Sequence, residues 1–395
     1  MNKKLSMAVA SAVMAFGASA ANAGITIPAG DWTIDIGGNV NAYYTHTKFS
    51  GALSTPGLED KANTVQTGLL PSALGIGGKT RQNDLDVAFQ FTFFTGVDSN
   101  SGSGAGNNSL NIRQAYLTFG DKSWGTIKGG RDLGIFGSDA ILSDMTLLGV
   151  GVGAGAGGSS TLGRIGSGYM YADWVGQISY ASPNWNGFSF AVGVREPWSN
   201  SLGAAAGSSN SAIRSDMGYE GKVTYEWAGD FAGKAWLGGI SQKHDDNTAA
   251  AATFDSYTSR GWDIGAKANV AGFGLVGYYY DGRGLAGTGN ALSGILFIGG
   301  ATQGKTDDKG GYGQVTYALP GVGTKLGASY GISKSESDVN GVEFENKSWI
   351  VGAYHPLTKS LNLVAEYTHN KLENLNYAAG DGKAKTVSLG AILFF

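Results

Sequence analysis

The sequence predicts an all-β fold: a transmembrane, antiparallel, up-and-down β-barrel of about sixteen strands. Three observations predict it. Apolar and polar residues alternate with period two through almost the whole chain. The alternating segments run about 9–11 residues or longer, which suits tilted membrane strands better than soluble strands of about 5–6. Connections alternate between short and long, as an up-and-down barrel requires. A soluble sandwich shows the same alternation, so periodicity alone does not decide. Aromatic residues near both ends of the apolar faces (Trp32 and Tyr44, Tyr225 and Trp227, Tyr367) add the signature of interfacial girdles.

At the start of the chain, Lys3 and Lys4 precede a short apolar run, Leu5 to Phe16, and the small-x-small site Ala21-Asn22-Ala23. This predicts a secretory signal over 1–23, cleaved after Ala23, and one barrel domain over 24–395. Cysteine is absent, which excludes a disulfide scaffold, a thiolate metal site and an acylated N-terminal cysteine. Lys+Arg 28 against Asp+Glu 31 gives a net charge of −3, which argues against nucleic acid as a partner. Gly 66 against Pro 7 would suit a disordered chain, but Trp 9, Tyr 18 and Phe 17 fall mostly at strand-like spacing. Downstream of the signal no apolar run reaches the length of a membrane helix. An exported chain of this kind belongs in the periplasm, in the medium, or in an outer membrane crossed by strands.

Taken in order, the strands are expected at 31–47, 66–78, 84–97, 110–120, 124–134 and 164–181. They continue at 187–196, 213–228, 234–244, 259–271, 273–283 and 309–319, and end with 324–336, 347–357, 361–373 and 384–395. The first carries Trp32, Ile34, Ile36, Val40, Ala42 and Tyr44 on one face. The third carries Leu85, Val87, Phe89, Phe91 and Phe93, and Trp262, Ile264, Ala266 and Val270 repeat the pattern later. Short connections at 120–123, 183–187, 229–233, 320–323 and 357–360 alternate with long polar ones at 98–109, 198–210, 245–257, 283–308, 337–346 and 374–383. Sixteen strands enclose a water-filled lumen rather than a packed core. In the last strand Val387, Leu389, Ala391, Leu393 and Phe395 alternate with Thr386, Ser388, Gly390 and Ile392, and the chain ends on the aromatic Phe395.

One stretch breaks the pattern. Arg131 to Arg164 is long, largely apolar and glycine-rich, with isolated acids at Asp139 and Asp144. An apolar connection of that length is unstable in water and must fold against something. Five short elements around it carry a family resemblance. They are Arg113-Gln-Ala-Tyr-Leu, the GTIKGGRDLG run 125–134, Ser143-Asp144-Met145, Leu162-Gly163-Arg164-Ile165-Gly166, and the NGFSFAVGV run 186–194. In this order, and with the terminal Phe395, they resemble the Gram-negative general-diffusion porins, over essentially the whole of 24–395. The resemblance implies passive diffusion of ions and small hydrophilic solutes through an outer-membrane channel, and a homotrimer. It also implies an inward-folded third external loop narrowing the pore, and Phe395 as a signal to the barrel-assembly machinery. By the same resemblance Asp144 is the loop acid, Arg113 and Arg164 are wall arginines, and Arg131 is a third. Opposite charges held across a water gap create a transverse field there.

Two positions depart from that pattern. Leu148 stands where a second loop acid is expected, and Ala73 where one further wall arginine is expected; Asp139 is the candidate to restore a negative charge. A surplus of arginine implies a bias toward anions. For Arg113 the strand parity conflicts, because a lumen-facing Arg113 would bring Leu117 and Phe119 to the lumen as well. Arg195, Lys222, Glu226, Lys267 and Glu366 read as channel lining.

Other motifs carry little. The glycine tract 153–158 satisfies GxGxxG without a strand–turn–helix context, so no dinucleotide site is expected. His46, His244, His355 and His369 lack metal-ligand spacing. The adjacent acids Asp245-Asp246 and Asp307-Asp308 read as solvated loop charge, with divalent bridging to lipopolysaccharide as the alternative. No GxSxG-type signature supports catalysis, and no cofactor is expected. Partners are outer-membrane lipid, lipopolysaccharide and transiting solutes. A substrate-selective channel of the same fold is the rival reading; an outer-membrane lipase or a secreted soluble β-protein is more distant.

Overall fold

The computed structural model describes residues 24–54, 60–97, 110–154, 160–197, 216–244, 256–286, 305–338, 341, 343–373 and 380–395. The expected signal 1–23, most of the long connections and residues 155–159 of the glycine tract lie outside this set. Strand segments dominate. The first are β1 (Ile25–Ala29), β2 (Trp32–Gly51), β3 (Lys61–Gln66), β4 (Ser72–Gln82), β5 (Leu85–Thr95) and β6 (Asn111–Asp121). Next come β7 (Gly125–Leu133), β8 (Trp174–Ala181), β9 (Phe188–Arg195), β10 (Gly218–Trp227), β11 (Ala232–His244) and β12 (Tyr257–Val270). The last are β13 (Phe273–Arg283), β14 (Thr306–Ala318), β15 (Lys325–Ser337), β16 (Glu343–Pro356), β17 (Leu361–Glu373) and β18 (Gly382–Phe394).

These segments form a closed antiparallel barrel of 16 strands. β3 and β4 are two pieces of one strand: both pair with β2, over Tyr43–Lys48 and Thr33–Asn39 respectively. β1, which alternation did not reveal, is short and carries Pro28. It pairs with Trp32–Ile36 of β2 and prolongs the position of β18, which takes Asn39–Gly51. Phe395 completes the seam: its amide donates to Gly38 O at 3.1 Å and its carbonyl accepts Gly38 N–H at 2.8 Å.

The turns follow from local chemistry. Asn83 and Asp84 have φ of 48° and 62°, and Ala271 and Gly272 have φ of 49° and 82°. Two consecutive left-handed residues make the two-residue hairpin turn that matches strand twist. Asn and Asp tolerate that conformation because their side chains bond locally.

The two faces separate sharply. On β18, Leu389 is 52% exposed and Val387 and Leu393 are also exposed, while Thr386, Ser388, Ile392 and Phe394 are buried. Val40, Tyr44, Leu117, Trp262, Ile264 and Leu275 continue this outward apolar belt. A soluble protein does not leave so large an apolar surface in water; in a bilayer the same surface is solvated by lipid. Toward the end that carries the long connections, the outer face of β15–β17 becomes ionic. Lys334 pairs with Glu345 (2.6 Å), Lys347 with Glu373 (2.8 Å) and Lys371 with Asp381 (3.1 Å).

Two local differences from the sequence expectation stand out. The strand expected at 164–181 begins only at Trp174, because residues 164–173 form turns and isolated bridges within the preceding connection. On β6, pairing slips between Thr92 and Phe93, so that Thr92 faces Gln114 and Phe93 faces Ile112, leaving Arg113 as the extra residue. The bulge resolves the parity conflict: Gln114 and Tyr116 are buried inside while Leu117 remains 52% exposed outside.

Candidate functional site

Residues 134–173 join β7 to β8 and include a single helical turn, α1 (Ser138–Ile141), and a 3-10 turn over Met145–Leu148. Their polar groups bond to side chains on eight strands, including Arg195 of β9, which donates to Ala172 O at 3.2 Å. Glu220 of β10 accepts the amides of Ile135 (2.9 Å) and Phe136 (3.1 Å). Tyr312 of β14 donates to Ala140 O at 2.8 Å, and Gln314 accepts Met145 N–H at 2.7 Å while donating to Ser143 O at 3.0 Å. Glu366 of β17 accepts the amides of Val150 (2.8 Å) and Gly151 (2.9 Å) and the hydroxyl of Tyr354 (2.6 Å). Tyr43 of β2 donates to Leu148 O at 2.7 Å. Gly149 lies so close to Glu366 that a Cβ there would collide with its carboxylate, which explains a glycine at that position. Apolar packing seals the same surface, with Phe136, Ile141, Ile165 and Met170 against Trp236, Tyr278 and Tyr312.

Asp139, on α1, is buried and forms ion pairs of 2.6 Å with both Lys222 of β10 and Lys234 of β11. Burial pushes its carboxyl up, but the two ammonium groups more than offset this and hold it below the usual carboxylate range. The expected free negative charge is therefore neutralised. Lys234 stands directly opposite Lys267 across β11 and β12, and among the described residues Lys267 has no ion pair. Glu226 pairs with Lys234 as well, at 3.7 Å, so Lys222, Lys234 and Lys267 face the carboxylates of Asp139 and Glu226, with Asp263 buried nearby.

Asp144 and Arg164 do not face each other from loop and wall, because both lie on the connection. Asp144 is buried and caps the 3-10 turn, accepting Thr146 N–H at 2.9 Å and the Tyr169 hydroxyl at 2.7 Å. Arg164 is fully buried, not a wall residue, and reaches β15 and β16: Nη2 donates to Ser329 Oγ at 2.6 Å and Nη1 to Ser348 Oγ at 3.0 Å. Gly331 makes room for it; a Cβ at 331 would meet Ser167 O and Arg164 Nη1.

Of the expected wall arginines, Arg113 stands on the interior side of the barrel, its guanidinium 5.0 Å from the centre of the Phe94 ring. Arg131 is exposed and in register with Ala115; it lies within electrostatic reach of Arg113 and Tyr171, and Leu133, two residues on, packs against the interior clusters. Two residues read as channel lining are structural anchors instead. Glu366 binds the connection as described, and Arg195 is fully buried against Glu220 at 3.4 Å. Glu220, Tyr312 and Gln314 escaped sequence reasoning. Their signal, a large polar group on an interior row among small residues, identifies an anchor only once the facing segment is known. Asp307 and Asp308 diverge: the first pairs with Arg283 at 2.6 Å, and the second is buried and accepts Leu285 N–H at 2.7 Å.

The fold has well-covered relatives among solved structures. An anion-selective porin from Comamonas acidovorans is 15% identical, covers 92% of this chain and 100% of its own, and superposes with a TM-score of 0.63. OmpF of Salmonella typhi, solved in complex with daunomycin, is 18% identical over 94% of this chain and 100% of its own, TM-score 0.62. The outer membrane channel DcaP of Acinetobacter baumannii is 16% identical over 93% and 99%, TM-score 0.66. Among curated protein sequences none matches. The sequence profile described as Gram-negative porin matches residues 9–375, nearly the whole barrel, and the chain therefore belongs to the Gram-negative porin family of the outer membrane.

Proposed function

We propose that this protein is a water-filled channel for passive diffusion of ions and small hydrophilic solutes, narrowed where residues 134–173 cross the barrel lumen. One observation supports the reading: a single connection bonds to buried side chains on eight strands, as a segment lying within the ring would. The constriction is then lined on one side by Arg113 and on the other by the lysine group around Asp139. Lys267 and Arg113 supply cationic charge without a paired acid among the described residues, so anions are concentrated in the low-dielectric neck. The signal 1–23 is removed on export, Phe395 serves barrel assembly, and the ionic outer rim on β15–β17 faces lipid and lipopolysaccharide headgroups. A homotrimer fits the family; a neighbour, OmpT of Vibrio cholerae, is described in a trimer form.

The test is reconstitution into planar bilayers. Stepwise conductance increments with a reversal potential favouring chloride in a KCl gradient are expected. Insertion without conductance would remove the channel reading, and a cation-selective potential would remove the proposed charge filter.

A further inference from the structure

A second connection also begins by turning inward. The stretch from β13 to β14 reads in sequence as a long polar external loop, yet its first residues, Gly284, Leu285 and Ala286, are buried. Gly284 makes the turn with φ of 70°; its N–H donates to Thr306 O at 2.7 Å and its carbonyl accepts the Ser259 hydroxyl at 2.8 Å. One carboxylate oxygen of Asp308 then accepts the Thr306 hydroxyl (2.7 Å), Leu285 N–H (2.7 Å) and Ala286 N–H (3.3 Å). Glu220 and Glu366 hold residues 134–173 in the same way, each through two consecutive amides.

The two connections meet on the wall. Leu285 is fully buried, in one apolar cluster with Phe136, Ile141 and Tyr280. Its seat is a recess where Gly261 of β12 and Gly282 of β13 stand directly opposite each other. A Cβ at Gly282 would overlap Leu285 Cδ1. A Cβ at Gly261 would meet both Leu285 methyl groups, at 3.0 and 3.2 Å, and Phe136 Cζ at 3.4 Å. Leu285 and Phe136 therefore share one glycine-floored site, and Phe136 is also a residue whose amide Glu220 accepts. Contacts packed this closely transmit a displacement rather than absorb it.

We propose that Gly284–Ala286 is a latch on the neck: Leu285, held by Asp308, keeps Phe136 against the wall, so that the connection after β13 and the segment across the lumen move as one unit. A disturbance of the outer connection then reaches the neck. The inference rests on the channel reading for its effect on current, but not for the coupling of the two connections.

The chain has no cysteine of its own, so Phe136→Cys combined with Leu285→Cys can be joined by a short bis-maleimide in the folded, detergent-solubilised protein and followed by intact mass. The pair should crosslink to completion. Asp308→Ala should slow the crosslinking at least about fivefold by freeing Leu285, whereas Asp307→Ala, which removes an exposed partner of Arg283, should leave the rate unchanged. In planar bilayers Leu285→Ala should raise the frequency of brief current interruptions to a similar degree, and Leu275→Ala, on the lipid-facing row of β13, should not. Phe136→Ala together with Leu285→Ala should be no noisier than the worse single variant, because one contact can be lost only once. Absent crosslinking, crosslinking indifferent to Asp308→Ala, or effects of Phe136→Ala and Leu285→Ala that multiply would each overturn the latch. Crosslinking that depends on Asp308 in a protein that inserts without conducting would uphold the latch and overturn the channel reading instead.

Discussion

The carboxylate of Glu366 accepts the amide N–H of Val150 at 2.8 Å across 216 residues of sequence, and the same oxygen accepts Gly151 N–H at 2.9 Å. Glu220 repeats the arrangement at the start of the connection, with the amides of Ile135 and Phe136. Two wall carboxylates thus each satisfy a pair of consecutive backbone donors that an irregular segment would otherwise leave buried and unpaired.

Glu366→Gln should loosen the connection. An amide oxygen can still accept both backbone N–H groups but without the charge, and the NH₂ group then meets the Tyr354 hydroxyl, which donates to the second carboxylate oxygen of Glu366. The loss of charge-assisted bonds costs on the order of 2–4 kcal/mol. Single-channel recordings should show a larger and noisier conductance, and the folded barrel should dissociate at lower temperature on a heat-modifiability gel. Unchanged current noise together with unchanged heat stability would show that Glu366 does not secure the connection.

Asp139→Asn should shift selectivity further toward anions, because Lys222 loses its counter-charge and Lys234 keeps only the longer pair with Glu226 at 3.7 Å. The pH dependence follows from sign. A carboxyl depressed in the folded state contributes stability above its unfolded pKa of about 3.9 and loses it only as pH falls through the lower folded value. The difference in reversal potential between wild type and Asp139→Asn should therefore persist at pH of about 4.5, where an ordinary carboxyl near pKa 3.9 already begins to titrate. Convergence of the two proteins at that pH would mean that the lysines do not hold the proton off Asp139.

Much of the barrel was legible because each strand obeys one periodicity and each short turn carries residues that favour a reversal. β10 to β18 appear within a few residues of their expected limits. The site was less legible, for physical reasons. Gly163-Arg164-Ile165-Gly166 has the alternation of a strand, but Arg164 is drawn onto the connection by serines 165 and 184 residues away. Nothing local encodes that distance. Asp139 was visible as an acid, but its neutralisation depends on Lys222 and Lys234, brought beside it by the closure of the barrel. Arg113 shows the same limit on a smaller scale, since one inserted residue in a ladder reverses which side chains face inward.

Leu389, 52% exposed near the middle of β18, distinguishes a membrane barrel from a soluble one. In water Leu389→Arg would be close to neutral, as most exposed substitutions are. On a lipid-facing strand an arginine near mid-depth costs about 2–4 kcal/mol. Urea titration of the protein folded into vesicles should show that loss, and a midpoint equal to that of wild type would contradict the lipid-facing assignment of this row.

Two glycines on adjacent strands provide the most selective check of how the connection is seated. A Cβ at Gly331 of β15 would press on Ser167 O and on Arg164 Nη1, whereas at Gly313 of β14 it would meet no heavy atom within 4 Å. Both substitutions remove the same backbone freedom and add the same methyl group, so strand propensity cancels between them. Gly331→Ala should lose about 1–3 kcal/mol, the usual cost of forcing an extra methyl into a packed contact, and should raise conductance as Arg164 is displaced. Gly313→Ala should be neutral or slightly stabilising. Equal behaviour of the two variants in heat stability and conductance would mean that Arg164 does not dock against β15, and the seating of the connection would have to be redrawn from Glu366 and Asp139 alone.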